Sequence, residues 1–296
     1  MQLEGLNDMV GDHTLRLEDI VAKTSDLPAL PAAALAVMRE TDSPTGTAQS
    51  IAKYLSQDQA LTARILRLAN SAYYGLSRQI MDVPDAVVVL GMRCIRNLCM
   101  VASTYPWMTK PLKGYGLGPK EMWTHSFAVA VGAELVARKS RSTASDQAFT
   151  AGLLHNLGKV ALSIWLEEKL TGMVAIACRE ELTFDQVERK VLGFDHCDVG
   201  AHMGEVWNLP RPLVDAMQHH HNPAACEPAN PLVDCVHIAD YLTMSMGLGL
   251  GGDGLRYDFQ EASLERLGLS SANFDEMAEE FMFEYNKHER LFEENQ

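Results

Sequence analysis

The chain has 296 residues, 47% of them hydrophobic, with a formal charge of −14 and a pI near 5.1. That length supports one large domain or two modest ones with a full core. The acidic balance disfavours direct nucleic-acid binding, since the densest basic run, Arg138-Lys139-Ser140-Arg141, is too short to overcome it and suits a solvated helix end. Met1 to Asp12 has acids and no apolar signal region, and no run reaches the roughly 18 apolar residues of a membrane span. The expected location is the cytoplasm. Six scattered cysteines without a Cys-x-x-Cys pair fit buried thiols in a reducing compartment, not a disulfide framework or zinc ribbon.

Apolar positions recur mostly at three and four, so the pattern predicts an all-α chain. Residues 1–26 are polar and read as a loose leader with a short helix, and residues 1–19 are set apart from the domain that follows. Leu27-Pro28-Ala29-Leu30-Pro31 stiffens the chain before a helix over 32–40, with Leu35 and Met38 facing in. A turn over 41–46 leads to Thr47, which can cap a helix bearing Ile51, Tyr54 and Leu55. Asp58 caps the next, with Leu61, Ile65, Leu68 and Ala69 at helical spacing. It ends near Asn70-Ser71-Ala72-Tyr73-Tyr74-Gly75, where Gly75 suits a left-handed cap. Asp82-Val83-Pro84-Asp85 opens another helix through Val88 and Leu90. Gly91 is read as permitting close approach, before Ile95, Leu98 and Val101 continue the apolar face.

Residues 106–119 hold three glycines and three prolines and are the expected boundary between lobes at 20–110 and 118–246. Helices are predicted over 121–139, 145–166, 168–180, 184–192, 197–207, 211–220 and 231–246. The five glycines of 247–254 read as a flexible joint. An acidic, amphipathic extension at 255–296, with Leu264, Leu267, Phe274, Met277 and Phe281, is expected to form one or two helices. The joint and this tail are the expected contact regions for partners, or else solvated segments.

The chemistry-bearing residues lie on these helices. Glu121 and His125 are four apart, as are His155 and Lys159, so each pair shares a helix face. His196 follows Phe194-Asp195, His219-His220-His221 closes a helix, and Asp240 lies on the apolar face of Val233 and Val236. Taken singly, each has a plain structural reading: a hydrogen-bonded core histidine, a surface pair, a solvated triplet, a carboxylate bonded to the next helix.

Their order resembles that of the HD phosphohydrolase superfamily. A ligand-bearing helix comes first, then a His-Asp helix with a lysine one turn on, and finally an Ala-Asp helix. The intervening histidines resemble those of its HD-GYP branch, which complete a two- or three-metal site. Two departures stand out. Leu154-His155-Asn156-Leu157-Gly158-Lys159 has asparagine in place of the aspartate, and Asn222-Pro223-Ala224-Ala225 follows His221 where Gly-Tyr-Pro would stand. A neutral amide offers one carbonyl oxygen and bridges cations poorly.

A closer likeness accommodates both departures. Leu27 to Pro31, Asp58 to Ala72, Leu90 to Leu98, Trp123-Thr124-His125-Ser126, Ala151 to Lys159, Leu192 to His196, Trp207-Asn208-Leu209-Pro210 and His220-His221 resemble the HDOD (HD-related output domain) proteins of bacterial signalling over about residues 20–245. Gln59 stands where that family usually has proline, which is expected to affect only a helix start. The resemblance implies a two-lobed helical fold containing a degenerate HD-like core. It also implies a regulatory role through signalling-protein partners or a small nucleotide ligand. The alternative is a metal-dependent phosphodiesterase acting on a cyclic dinucleotide or another phosphoester. The implied cofactor is a divalent metal (iron, manganese, zinc or nickel). It would be held by His125, His155, Asn156, His196, His220, His221, Asp240 and Glu121, with Lys159 steadying phosphoryl charge if catalysis survives.

Overall fold

The structure is a computed structural model that describes residues 16, 17, 20, 30–71, 74–140, 145–252, 254 and 256–293. The expected leader at 1–19, except residues 16 and 17, lies outside the described residues, as do Leu27 to Ala29, Ala72 and Tyr73. The described residues are helical and contain no strand, only an isolated bridge between Leu112 and Leu117. The chain divides into two compact units: residues 28–106 with 278–296, and residues 1–27 with 107–277.

The first unit holds α1 (Ala32–Thr41), α2 (Ala48–Leu55), α3 (Gln59–Ala69), α4 (Val83–Leu90) and most of α5 (Met92–Met108). Side chains set the helix starts. Thr47 accepts from Ser50 N, Asp58 from Leu61 N and Asp82 from Asp85 N, each satisfying an amide with no partner inside its helix. Ile51, Leu55, Leu61, Ile65, Leu68 and Ala69 are buried as the spacing predicts, whereas Leu35 is only half-buried and Ala33, Ala34, Val37 and Met38 form the buried face of α1. Asn70 donates to Leu66 O and Ile80 O and accepts from Ile80 N, pinning the end of α3 to the chain before α4. Gly91 does not serve a close approach. It is exposed, its φ is +85°, and no atom lies within 4 Å of a Cβ placed there, so its role is to break the chain between α4 and α5.

The second unit holds α6 (Glu121–Lys139), α7 (Ser145–Leu154), α8 (Leu157–Leu166), α9 (Leu170–Glu180), α10 (Phe184–Leu192), α11 (His196–Val206), α12 (Arg211–His219), α13 (Pro231–Ser245) and α14 (Ala262–Arg266). The expected tail helices are α14 and α15 (Ser271–Glu293), and the unit boundary after Met277 falls within α15. α6 is apolar on nearly every side, and α7 and α13 pack against it. Gly152 makes that contact close, since a Cβ there would come 2.6 Å from Val129 O.

Two further expectations are corrected. The single helix over 145–166 is broken at His155-Asn156. The cause lies on α11: a Cβ at Gly158 would stand 1.9 Å from His196 O, so α8 must redirect and lie backbone to backbone on α11. Residues 247–252 are no joint. Gly252 N donates to Tyr115 O (2.7 Å), and Gly249, at φ +65°, lies so close to α6 that a Cβ would come 2.4 Å from Glu121 O. The glycines let this strap lie flat on the first turn of α6.

Candidate metal centre

The break between α7 and α8 sets His155 and Asn156 in the interior, facing α6 and α13. His155, Asn156, His125 and Asp240 are all buried. His155 Nδ1 donates to Gly152 O (2.6 Å), which leaves Nε2 as a bare lone pair, and that atom has no hydrogen-bond partner. His125 Nδ1 lies 3.3 Å from Leu248 O on the glycine strap, so its Nε2 also faces inward. It meets Asp240 Oδ1 at 3.1 Å and Asn156 Nδ2 at 3.2 Å. Asp240 Oδ1 stands 3.9 Å from His155 Nε2. Despite these approaches, Asp240 Oδ1 and Asn156 Oδ1 have no hydrogen bond of acceptable geometry.

A second group adjoins the first. His196 Nδ1 is 2.7 Å from Glu188 Oε2, and His196 Nε2 is 3.2 Å from His221 Nε2. His220 Nδ1 donates to Met217 O (3.0 Å), turning its Nε2 inward, and Cys197 Sγ lies 3.9 Å from that ring's nitrogens. The His155 and His220 rings meet edge to face at 4.9 Å between centroids. Within each group, His125/His155/Asp240 and His196/Cys197/His220/His221, the potential ligand atoms lie within 4.8 Å of one another.

The electrostatics suit cation binding. Burial takes His155 down to about 3, against the pull of Asp240, and takes His221 to about 4, against Asp185. Burial, reinforced by the neighbouring histidines, also holds His220 well below the usual imidazole range. Burial opposes ionisation of Asp240 as well, but His125, His155 and His221 outweigh it and keep the carboxyl well below its ordinary range. Neutral imidazoles around an ionised carboxylate are the protonation states a cation requires. His196 is the exception. Burial works against its charge, yet Glu188 wins and raises it.

These residues fit a divalent metal. The buried lone pair of His155, which has no hydrogen-bond partner, is costly unless something binds it. Imidazole and carboxylate suit borderline cations such as zinc, manganese, iron or nickel. His125, His155 and Asp240 would hold one such ion, and His196, His220 and His221 with Cys197 another.

The structure brings together His125, His155, Asn156, His196, His220, His221 and Asp240, but not Glu121. The Glu121 carboxylate accepts from Gly118 N (2.6 Å) and lies outside both ligand groups, spent on the first turn of α6, where a carboxylate is favoured. Lys159 is buried on the wall of a cavity of about 460 Å³, with its Nζ 5.7 Å from the centre of the Tyr115 ring. Arg189, Asp185, His219, Tyr257 and Gln260 line the same space. His237, beside Asp240 in sequence, is not a ligand. Its Nδ1 donates to His220 O (2.7 Å) and its Nε2 accepts from Gln260 N (2.9 Å).

Sequence reasoning missed Glu188, the place of Cys197 in the second group, and Tyr257. Cys197 directly follows His196 and could have been found there. Glu188 sits in Val187-Glu188-Arg189-Lys190, which reads as a solvated face, and nothing in sequence marks Tyr257 as a cavity residue.

A family model described as HDOD domain matches residues 27–223. An uncharacterized protein of Treponema pallidum (strain Nichols) is 28% identical over 79% of this chain, and the match spans 45% of that protein's length. A Geobacter sulfurreducens HDOD domain protein of unknown function has a similar solved structure, at 27% identity and TM-score 0.68, covering 89% of this chain and 88% of the other. A Marinobacter aquaeolei VT8 protein, provisionally named for signal transduction, shares the fold at 22% identity and TM-score 0.75 over 96% of this chain and 63% of the other. Helical architecture, motif order and family match agree: the chain belongs to the HDOD domain family.

Proposed function

We propose that this chain is a cytoplasmic signal-transduction module that takes up divalent cations in its histidine cavity and reports occupancy to a protein partner, without turning over phosphoesters. One observation carries the reading. Asn156 directs an N–H donor at His125 Nε2 (3.2 Å), where two coupled cations would require a shared anion. Each ligand group can hold its own ion, but the amide does not join them. The fold shared with a protein provisionally named for signal transduction agrees with this role, as does the family. No helix among the described residues is long and apolar enough to cross a membrane. A bound cation would supply Lewis acidity and an acidified water. The chain's own residues would add a closed pocket and the Lys159 ammonium on its wall.

Lys159 is also what favours the second reading, a phosphodiesterase acting on a cyclic dinucleotide or related phosphoester, since a buried cation in that wall would steady phosphoryl charge. One experiment decides between them. Protein purified without chelator is analysed for metal and then assayed with Mn²⁺ or Fe²⁺ against bis(p-nitrophenyl) phosphate and a cyclic dinucleotide. The expected result is bound metal with no turnover. A kcat near the ordinary enzymatic range of about 1 s⁻¹ or more would overturn the proposal in favour of the hydrolase.

A further inference from the structure

Glu188 is the one acidic side chain of α10 that is fully buried, although its neighbours Arg189 and Lys190 are exposed. Both its carboxylate oxygens are engaged. Oε2 accepts from His196 N (2.9 Å) and lies 2.7 Å from His196 Nδ1, while Oε1 accepts a short hydrogen bond from the Tyr115 hydroxyl. Tyr115 is itself buried and held by Gly252 N through its carbonyl. A carboxylate is expensive to bury unless its bonds are made, and here they hold a single histidine by both backbone and ring.

We infer that Glu188 is a positioning residue for the second cation group. It fixes His196 as the Nδ1–H tautomer with its Nε2 lone pair turned into the cavity, and Tyr115 steadies Glu188 from behind. The inference rests on the cation-binding reading above. A carboxylate bonded to the far nitrogen orients a ligating imidazole and raises its basicity, and losing such a partner typically weakens metal binding about 10–100-fold. In the first group, His125 and His155 have only backbone carbonyls in this role, so the charged support is specific to the second group.

The test is calorimetric titration of the chelator-treated full chain with Zn²⁺, repeated with Co²⁺ to follow the ligand-field spectrum, for wild type, Glu188→Gln and Tyr115→Phe. Circular dichroism and melting in chelator report on the fold. Glutamine keeps the size of Glu188 and can still accept from His196. The expected result is a folded Glu188→Gln variant that binds one cation with unchanged affinity and the other about 10–100-fold more weakly, with an altered Co²⁺ spectrum. Tyr115→Phe should lose about two- to tenfold at the same site. It carries the test if Glu188→Gln does not fold. Equal weakening at both sites, or no change at either, overturns the role of Glu188. No cation uptake by the wild-type chain overturns the cation reading itself.

Discussion

At position 156 an amide and a carboxylate have nearly the same shape and differ in charge, and the cavity is sensitive to both. Asn156 Nδ2 gives the inward lone pair of His125 a donor at 3.2 Å, and Asp240 Oδ1 already lies 3.1 Å from that nitrogen. An aspartate would crowd two buried anions around one imidazole. Asn156→Asp is therefore expected to be less stable than wild type in chelator by about 1–3 kcal/mol, read as a lower urea midpoint with unchanged slope. Mn²⁺ at about a hundred times its Kd should return about 2.7 kcal/mol, because the cation binds only the folded state. Equal midpoints in chelator would mean the pocket hydrates or neutralises the new carboxylate. The two ligand groups make a separate demand. Asp240→Asn and His196→Ala should each lower the bound-metal count by one rather than abolish binding, as checked by elemental analysis after gel filtration. His155 and Asn156 were legible in sequence because they share one short motif, and the other histidines and the aspartate of the two groups, unlike Glu121, were placed by their order along the chain. Glu188 was not legible, because its burial comes from Tyr115, remote from it in sequence, and from the backbone turn that brings the start of α11 back onto it.

The break between α7 and α8 shows the same limit for elements. The apolar spacing runs in phase through 155–156, so a local pattern predicts one helix, and the interruption is imposed from α11. Gly158 allows that contact, and it implies a sharp contrast between two glycines facing each other. A Cβ at Gly158 would lie 1.9 Å from His196 O, which is backbone and cannot rotate away, whereas at Gly200 the nearest atom is 3.4 Å off. Gly158→Ala is expected to cost about 3 kcal/mol or more through forced separation of α8 and α11, and to weaken cation binding as His196 shifts. Gly200→Ala should be close to neutral, gaining up to about 1 kcal/mol of helix propensity against a tight fit. Denaturant titration of both variants in chelator distinguishes them, and comparable losses would mean α8 slides to accept the methyl group. Helix starts were far more legible than this break, because Thr47, Asp58 and Asp82 cap through their own side chains. The strap over 247–252 was misread because glycine marks flexibility and close approach equally well, and only α6 selects between them.

The charge of −14 is a property of the whole molecule, and several of its cations are paired with carboxylates. Arg189 pairs with Asp195 and Asp198, Arg211 with Asp215, Arg266 with Asp234, Lys190 with Glu180, Lys113 with Glu167 and Arg78 with Asp85. Such surface pairs contribute little stability each, about 0–1 kcal/mol. They do make those arginines and lysines less available to displace the counterions of a phosphate backbone. Even the cavity wall balances Lys159, Arg189 and Arg256 against Asp185, Asp195, Asp198, Asp240 and Asp258. A signalling role through duplex DNA or RNA is disfavoured by the net charge alone. The expected outcome is no mobility shift of a 30-base-pair duplex at roughly 150 mM salt with about 10 µM protein, since even ordinary non-specific binders reach about 10⁻⁴–10⁻⁶ M there. Binding below about 1 µM, with affinity falling steeply as salt rises, would show that a basic surface forms in solution and would move the search for a partner from proteins to nucleic acid.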